Sequence, residues 1–469
     1  MANETGPLEL RFQTERNFPG WLLILQAAFV VVIAMEEYFL AFGILLGLVS
    51  FVFIFSGPTN GLIILPIFLY LPFEVPGFGG IQFSEIGTFL VLLVGLFSVM
   101  LVKRDLEFET PAVMPLILIF IAYCLSVLNA KYFAASVKDI VKFIESFFIL
   151  FLFTINFVDK RETITNIFRV FIFAGLISSI IGIVRYFAGL DSRVFGLSGG
   201  DFGAFLGIST LSAISNLIFS SSKVEKALVL ASLPILVSAM ILSQTRAWLL
   251  GLMLALFLLF LQVRRDPRAV RFAFLLAAIA IVVFVLLSAD FFSGHQANLI
   301  TSGVSRAFET GIIKGETLGR YVSILMRIFV WVHCFSIYLQ NPIFGFGIGN
   351  LRIRNYFTGE LGSPYEEGVG YIDNHWLNVL YETGILGVVG WIWLAVVVYK
   401  ACRQLMKVSI DPEWKQISIT LAGSMLILLV GGMFWVLTVV HELTALIPFL
   451  IGLIFASTRI IDKQHERAT

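Results

Sequence analysis

At 469 residues the chain is 58% hydrophobic and 13% charged, with a mean hydropathy of +0.94. A soluble domain carries about 25% charged residues, so a soluble globular protein is excluded and a polytopic membrane protein is indicated. The formal net charge of +1 says nothing about partners, because in a membrane protein the sidedness of charge matters more than its sum. Nothing points to a nucleic-acid partner. Cys124, Cys334 and Cys402 lie in separate segments without metal-ligand spacing, so no disulfide framework, metal or other cofactor is expected.

In chain order, apolar runs long enough for a span of roughly 20 residues begin at Trp21, Tyr38, Gly61, Ile81, Pro111, Ser136, Thr163, Phe202, Val224, Ala247, Phe272, Trp376, Ile417 and Leu443, the one from Gly61 being short. The first run lacks a small-residue cleavage site and leads into further spans, so no cleavable signal peptide is expected. Basic connectors test the set, since short cytoplasmic loops are rich in Lys and Arg. Lys103 and Arg104, Lys160 and Arg161, Lys223 and Lys226, the cluster from Arg264 to Arg271, and the cluster from Lys400 to Lys415 all fall on one side, as do both termini. The expected fold is an all-α, polytopic membrane protein with about 12–14 transmembrane helices: an N-terminal bundle over 1–288, a long extracytoplasmic loop over 289–373, and C-terminal spans with a cytoplasmic tail over 374–469. Residues 321–339 are apolar enough to pass for another span, but a crossing there would move the basic loop 400–415 outside and bury Arg327 in lipid. They are read as a helix in or just above the outer interface, ended by Asn341 and Pro342, because a residue before Pro is pushed out of the helical region.

Several polar residues interrupt this pattern. Lys138, Lys142 and Glu145 share one face of the run from Ser136, and intramembrane charges of this kind pair or contact substrate, so structural pairing of Lys142 with Glu145 and ligand binding are both open. Arg246, at the junction of two spans beside Trp248, reads by itself as a snorkelling interfacial arginine. Arg320 and Arg327, seven apart, lie about 20° apart around a helix and roughly 10 Å along it, where guanidinium forks could grip phosphate oxygens. The glycines of GFGIGN (Gly345, Gly347, Gly349) follow a helix and Pro342, not a strand, so a tight turn is expected in place of a nucleotide loop. Asp373, Asn374 and His375 precede an apolar run. Asp373 has the character of an N-cap, and Asp373 or His375 is a candidate general base. Glu382, further down the same helix, reads equally as core or substrate contact.

The segment from Met326 to Gly390 resembles the O-antigen ligase and polymerase superfamily of bacterial membrane glycosyltransferases. Arg327, Trp331 and Pro342 match its spacing, the Gly-x-Gly turn follows, and Asp373 and Asn374 precede Gly384 and Gly387 as in its final motif. Ser243, Thr245 and Arg246 match a Ser-x-Ser-Arg-type motif, which moves Arg246 to the functional reading; ligases usually have His where Asp373 stands. The resemblance implies a GT-C-like architecture in the bacterial inner membrane with its active site on the extracytoplasmic face. It implies transfer of a glycan from a polyprenyl-diphosphate-linked donor to a hydroxyl of a lipid A-core-type or polysaccharide acceptor, as an O-antigen ligase or a polysaccharide polymerase. On this resemblance Arg246 and Arg327 would bind the diphosphate and Asp373 or His375 would be catalytic; Arg320, which does not obviously match a family position, reads equally as a third diphosphate ligand or as plain lid surface, and Lys138 and Lys142 stay open between donor contact and structural pairing on their intramembrane charge alone. The rival reading is a transporter or flippase of lipid-linked glycans, whose expected mark is a pair of related halves with a midplane site.

Overall fold

The computed structural model describes residues 56–70, 82–102, 106–189, 194, 202–243, 245–264, most of 328–350, 372–408, 411–438 and 441–468. Among them the fold is helical and without strands. The helices are α1 (Pro58–Leu69), α2 (Phe83–Val102), α3 (Val113–Ser126), α4 (Phe133–Phe157), α5 (Arg161–Phe187), α6 (Phe202–Phe219), α7 (Lys223–Leu242), α8 (Arg246–Val263), α9 (His375–Val408), α10 (Pro412–Gly431) and α11 (His441–Ala468). The eight from α4 onward are long and apolar enough to cross a membrane, and α1 to α3 contain shorter apolar helices. Each expected run that falls among the described residues begins within a few residues of a helix; the runs from Trp21, Tyr38 and Phe272 lie outside them.

Start signals written in the sequence set several helix ends. Ser222 accepts the Glu225 N–H at 3.3 Å to open α7, and Asp411 accepts the Glu413 N–H at 3.0 Å to open α10, with Pro412 at its first position, as N-cap chemistry requires. Helix α6 is buried all round, with 17 of its 18 residues closed off including Ser209, Ser212 and Ser215, so it forms the centre of the bundle, in contact with α5, α7, α8 and α10. Helices α7 and α8 are only 33% buried and turn Leu228, Leu230, Met253 and Phe257 outward, as lipid-facing helices do. Helices α8 and α10 approach closely because Gly251 has no side chain: a Cβ there would stand 2.9 Å from Ile427 Cα. Small residues at such crossings are how membrane helices gain packing without a hydrophobic driving force.

The bundle has two chemically different ends. At one, ion pairs tie helix termini together: Arg161 to Asp411 at 2.6 Å and to Glu413 at 2.7 Å, Arg459 to Asp159 at 2.8 Å and to Glu107 at 3.3 Å, and Lys463 to Glu107 at 3.1 Å. Most of these carboxylates are about half exposed. At the other end stand the starts of α2, α4, α6, α8, α9 and α11, where polar groups are buried.

Two departures from the sequence reading bear on this second end. The run from Trp376 is not one straight span. Gly384 has φ 67° and ψ −165°, which splits α9 into two legs. The rings of His375 and Trp391, sixteen residues apart in sequence, lie 4.9 Å apart, whereas a straight helix would separate them by about 24 Å. The leg 375–383 therefore folds back against the longer leg. The second departure is that Lys142 pairs with Glu85 at 3.1 Å and not with Glu145. Helix α4 contains a π-helical turn, Ile144–Leu150, which changes the register on which the expected Lys142 and Glu145 pairing rested.

Candidate active site

The short leg of α9 is the centre of the polar end, and its start is local chemistry. Asn374, not Asp373, caps it: the Asn374 side-chain oxygen accepts the Leu377 N–H at 3.1 Å. The expected capping role of Asp373 is thereby corrected by one residue, and the Asp373 side chain, half-buried, stands just outside the helix. His375 donates its backbone N–H to Gly432 O at 2.8 Å, docking the leg on the end of α10. Its ring is 1% exposed and stands edge-on to Trp391. Neither ring nitrogen has a hydrogen-bond partner among the described residues. Leaving such a buried group unsatisfied costs roughly 1–3 kcal/mol, and natural structures keep few of them outside functional sites.

The glycine turn locks this leg in place. Residues 328–338, where described, are helical and end before Asn341 and Pro342, as expected. One face of that helix, Val330, Cys334 and Tyr338, is buried, with Val330 and Cys334 packing with Ile372 and Tyr381; the other, Ile328, Val332, Phe335 and Leu339, is apolar and exposed. The chain then turns through Gly345, Gly347 and Gly349 at φ 67°, 97° and 74°, left-handed backbone that favours glycine. Every N–H from 345 to 350 is used within the protein. Gly345 donates to Asn341 O, Phe346 to Tyr381 O, Gly347 to Glu382 O, Ile348 to Ser126 Oγ, Gly349 to Glu382 Oε1 and Asn350 to Gly347 O, all within 2.9–3.3 Å. The turn is a clamp between helices, and its amides do not form a phosphate cradle.

On its far side the clamp holds α3 and α4. Asn129 donates to Gly345 O at 3.0 Å, Ser136 to Ile348 O at 2.6 Å, and Asn350 accepts the Tyr132 N–H at 2.7 Å while donating to Ser136 Oγ at 2.8 Å. A narrow cleft opens beside it, lined in part by Asp139, Lys142, Ile348, Glu382, Thr438 and Thr444. Behind Lys142 the polar line continues: Glu85 pairs with it, Ser84 Oγ donates to Glu442 Oε1 at 2.9 Å, and His441 Nε2 meets Thr88 Oγ1 at 3.3 Å. Buried charge in a membrane bundle marks function more often than stability.

Arg246 stands at the same end. It is the first residue of α8 and is exposed. The hydroxyls of Ser243 and Thr245 bond each other at 2.7 Å in the preceding turn. Two residues on, Trp248 is 2% exposed with its ring against Gly203 and Gly431, and Gly432, next to Gly431, holds His375. The guanidinium adds its charge to the positive end of a helix. Lys138 is exposed on α4, while Lys142 is committed to Glu85. Arg320 and Arg327 lie outside the described residues. The sequence reading missed Asn350, Ser126, Ser136, Asp139 and the residues around Glu442; the available signal was a polar side chain recurring inside apolar runs.

The family model described as O-antigen ligase matches residues 227–392. The match runs from within α7 to just past Trp391, and so contains Arg246, the glycine turn and the hinged leg with Asp373 and His375. No curated protein matches the chain.

Proposed function

We propose, from the match of residues 227–392 to the O-antigen ligase family model, that the protein transfers a glycan from a polyprenyl-diphosphate carrier to a hydroxyl of a lipid or polysaccharide acceptor. In this reading the membrane is the bacterial inner membrane and the polar end of the bundle faces away from the cytoplasm. The acceptor hydroxyl gives its proton to the Asp373 carboxylate as its oxygen bonds to the anomeric carbon. The bond from that carbon to the diphosphate breaks, and the departing negative charge is met by Arg246 with Arg327 and Arg320. Diphosphate is already a good leaving group, so one base and fixed positive charge suffice. Lys138, exposed nearby, contributes to the donor's surroundings, whereas the charge of Lys142 is largely answered by Glu85.

The observation that carries this reading is that half-buried Asp373, just before α9, and exposed Arg246, the first residue of α8, stand at the same polar end of the bundle within the matched segment. Asp373 is preferred to His375 as the base because it is half-buried, while the His375 ring is closed off at 1% exposure. The test is reconstitution: purified protein in liposomes with polyprenyl-diphosphate glycan and an acceptor should yield a glycosidic product. Movement of the lipid-linked glycan across the bilayer with no product would replace this reading with the transporter.

A further inference from the structure

We propose that Glu382 is the positioning residue of this site: its carboxylate holds the leg that carries Asp373 in register with the glycine turn. The kinetic consequence rests on the glycosyl-transfer reading above; the mechanical part does not. Glu382 is 7% exposed and grips in three ways. Its Oε1 accepts the Gly349 N–H at 3.0 Å, its Oε2 accepts from Asn378 Nδ2 at 3.1 Å, and its backbone carbonyl accepts the Gly347 N–H at 2.9 Å. Asn378 lies one helical turn earlier, towards His375 and Asp373. A single side chain therefore joins the turn to the base-bearing leg, and the turn is itself fixed to α3 and α4 through Asn129, Ser136 and Asn350.

No glycine of the turn can slide to compensate. A Cβ at Gly345 would meet the Glu382 backbone within 2.6 Å, and one at Gly349 would meet Asp139 Oδ2 at 2.6 Å, so leg, turn and α4 are in contact without slack. A carboxylate acceptor makes bonds roughly twice as strong as a neutral one. Displacing a reacting group by about 1 Å from a distance can cost on the order of 10² in rate.

The chemistry of the pair provides its own control. In Glu382→Gln the carbonyl still accepts from Gly349, but the new amide presents donors to the donors of Asn378. Adding Asn378→Asp supplies an acceptor again and restores one negative charge, moved by a helical turn. Transfer kinetics and hydrogen–deuterium exchange of the 345–350 peptide are measured on the full-length protein and on Glu382→Gln, with and without Asn378→Asp. The single variant should lose about 10- to 100-fold in kcat with donor KM within about twofold, and should exchange faster at 345–350. The double variant should recover both. Normal kcat in Glu382→Gln overturns the proposal. So does a double variant that fails to fold, or one that recovers slow exchange and stays inactive, since the latter would mean the proton chemistry belongs to Glu382 itself. If the wild-type protein makes no product, the transfer reading falls, and exchange alone judges the clamp: unchanged protection in Glu382→Gln would then sink it.

Discussion

At the scale of single residues, Asp373 and His375 differ in what surrounds them more than in what they are. Asp373 stands half-open outside a helix whose cap is Asn374, and His375 is sealed between Trp391 and the end of α10. Asp373→Asn keeps the shape and removes proton acceptance, so transfer should fall on the order of 10² to 10⁴. His375→Gln should change transfer little; an inert Asp373→Asn beside a dead His375→Gln in the same assay across pH 5 to 8 would reverse the assignment. Arg327→Lys should recover little of the activity lost in Arg327→Ala, because a point charge does not replace a bidentate fork; equal rates in the lysine variant and wild type would remove the diphosphate role. The sequence made these residues legible because their motif partners are close in the chain: Asp373 and Asn374 stand just before Gly384 and Gly387. The identity of the cap was not, since either of two adjacent polar residues satisfies the same composition signal. Ser126 and Ser136 were missed for a different reason. They bond to residues more than 200 positions away, and no local pattern records that.

At the scale of elements, the spans were legible from their length and the basic loops, but the hinge in α9 was not. Apolar residues on both sides of Gly384 read as one continuous helix, and a lone glycine inside a helical pattern is ordinarily tolerated. Tertiary contacts make it a corner: the Ile385 N–H donates to Pro342 O at 2.9 Å, and a Cβ on Gly384 would run into Ile343 O. Gly384→Ala combines a left-handed backbone with that collision, so a loss of roughly 1–3 kcal/mol from backbone strain alone is expected. Thermal unfolding in detergent should show a lower midpoint, and an unchanged one would mean that the leg can straighten without cost. At the opposite end, Glu107 joins the loop before α3 to α11. Burial raises its pKa, but hydrogen bonds from Lys463 and Arg459 and their charges outweigh that and hold it below the ordinary carboxylate value. A depressed carboxylate contributes stability above its unfolded pKa of about 4.3 and loses it as pH falls through the lower folded value. Glu107→Gln should therefore lower stability at neutral pH while leaving the most acid values little changed, which flattens the acid limb of a pH–stability curve; a curve that keeps its acid limb would rule this cluster out as its source.

At the scale of the whole molecule, the alternation of basic loops and the pairing of helix starts and ends agree on an antiparallel bundle with chemically distinct ends. The expected orientation puts the 289–373 loop outside the cytoplasm. A single cysteine introduced at Glu360 should then react with a membrane-impermeant reagent in cells whose inner membrane is intact; reaction only after permeabilisation would invert the orientation. The two ends also differ in how they depend on the medium. The ion pairs of Arg161, Arg459 and Lys463 involve carboxylates about half open to water, where added salt screens attraction over a Debye length of about 3 Å at 1 M. The opposite end is joined by short hydrogen bonds among Ser136, Asn350, Gly349 and Glu382, all buried or nearly so, which mobile ions do not reach. Concentrated salt should thus loosen the loops that bind the helices together at one end while the end that holds the glycine turn keeps its shape. The same chain is in effect fastened at one end by an ionic buckle and at the other by a dry weld, and ionic strength undoes only the first.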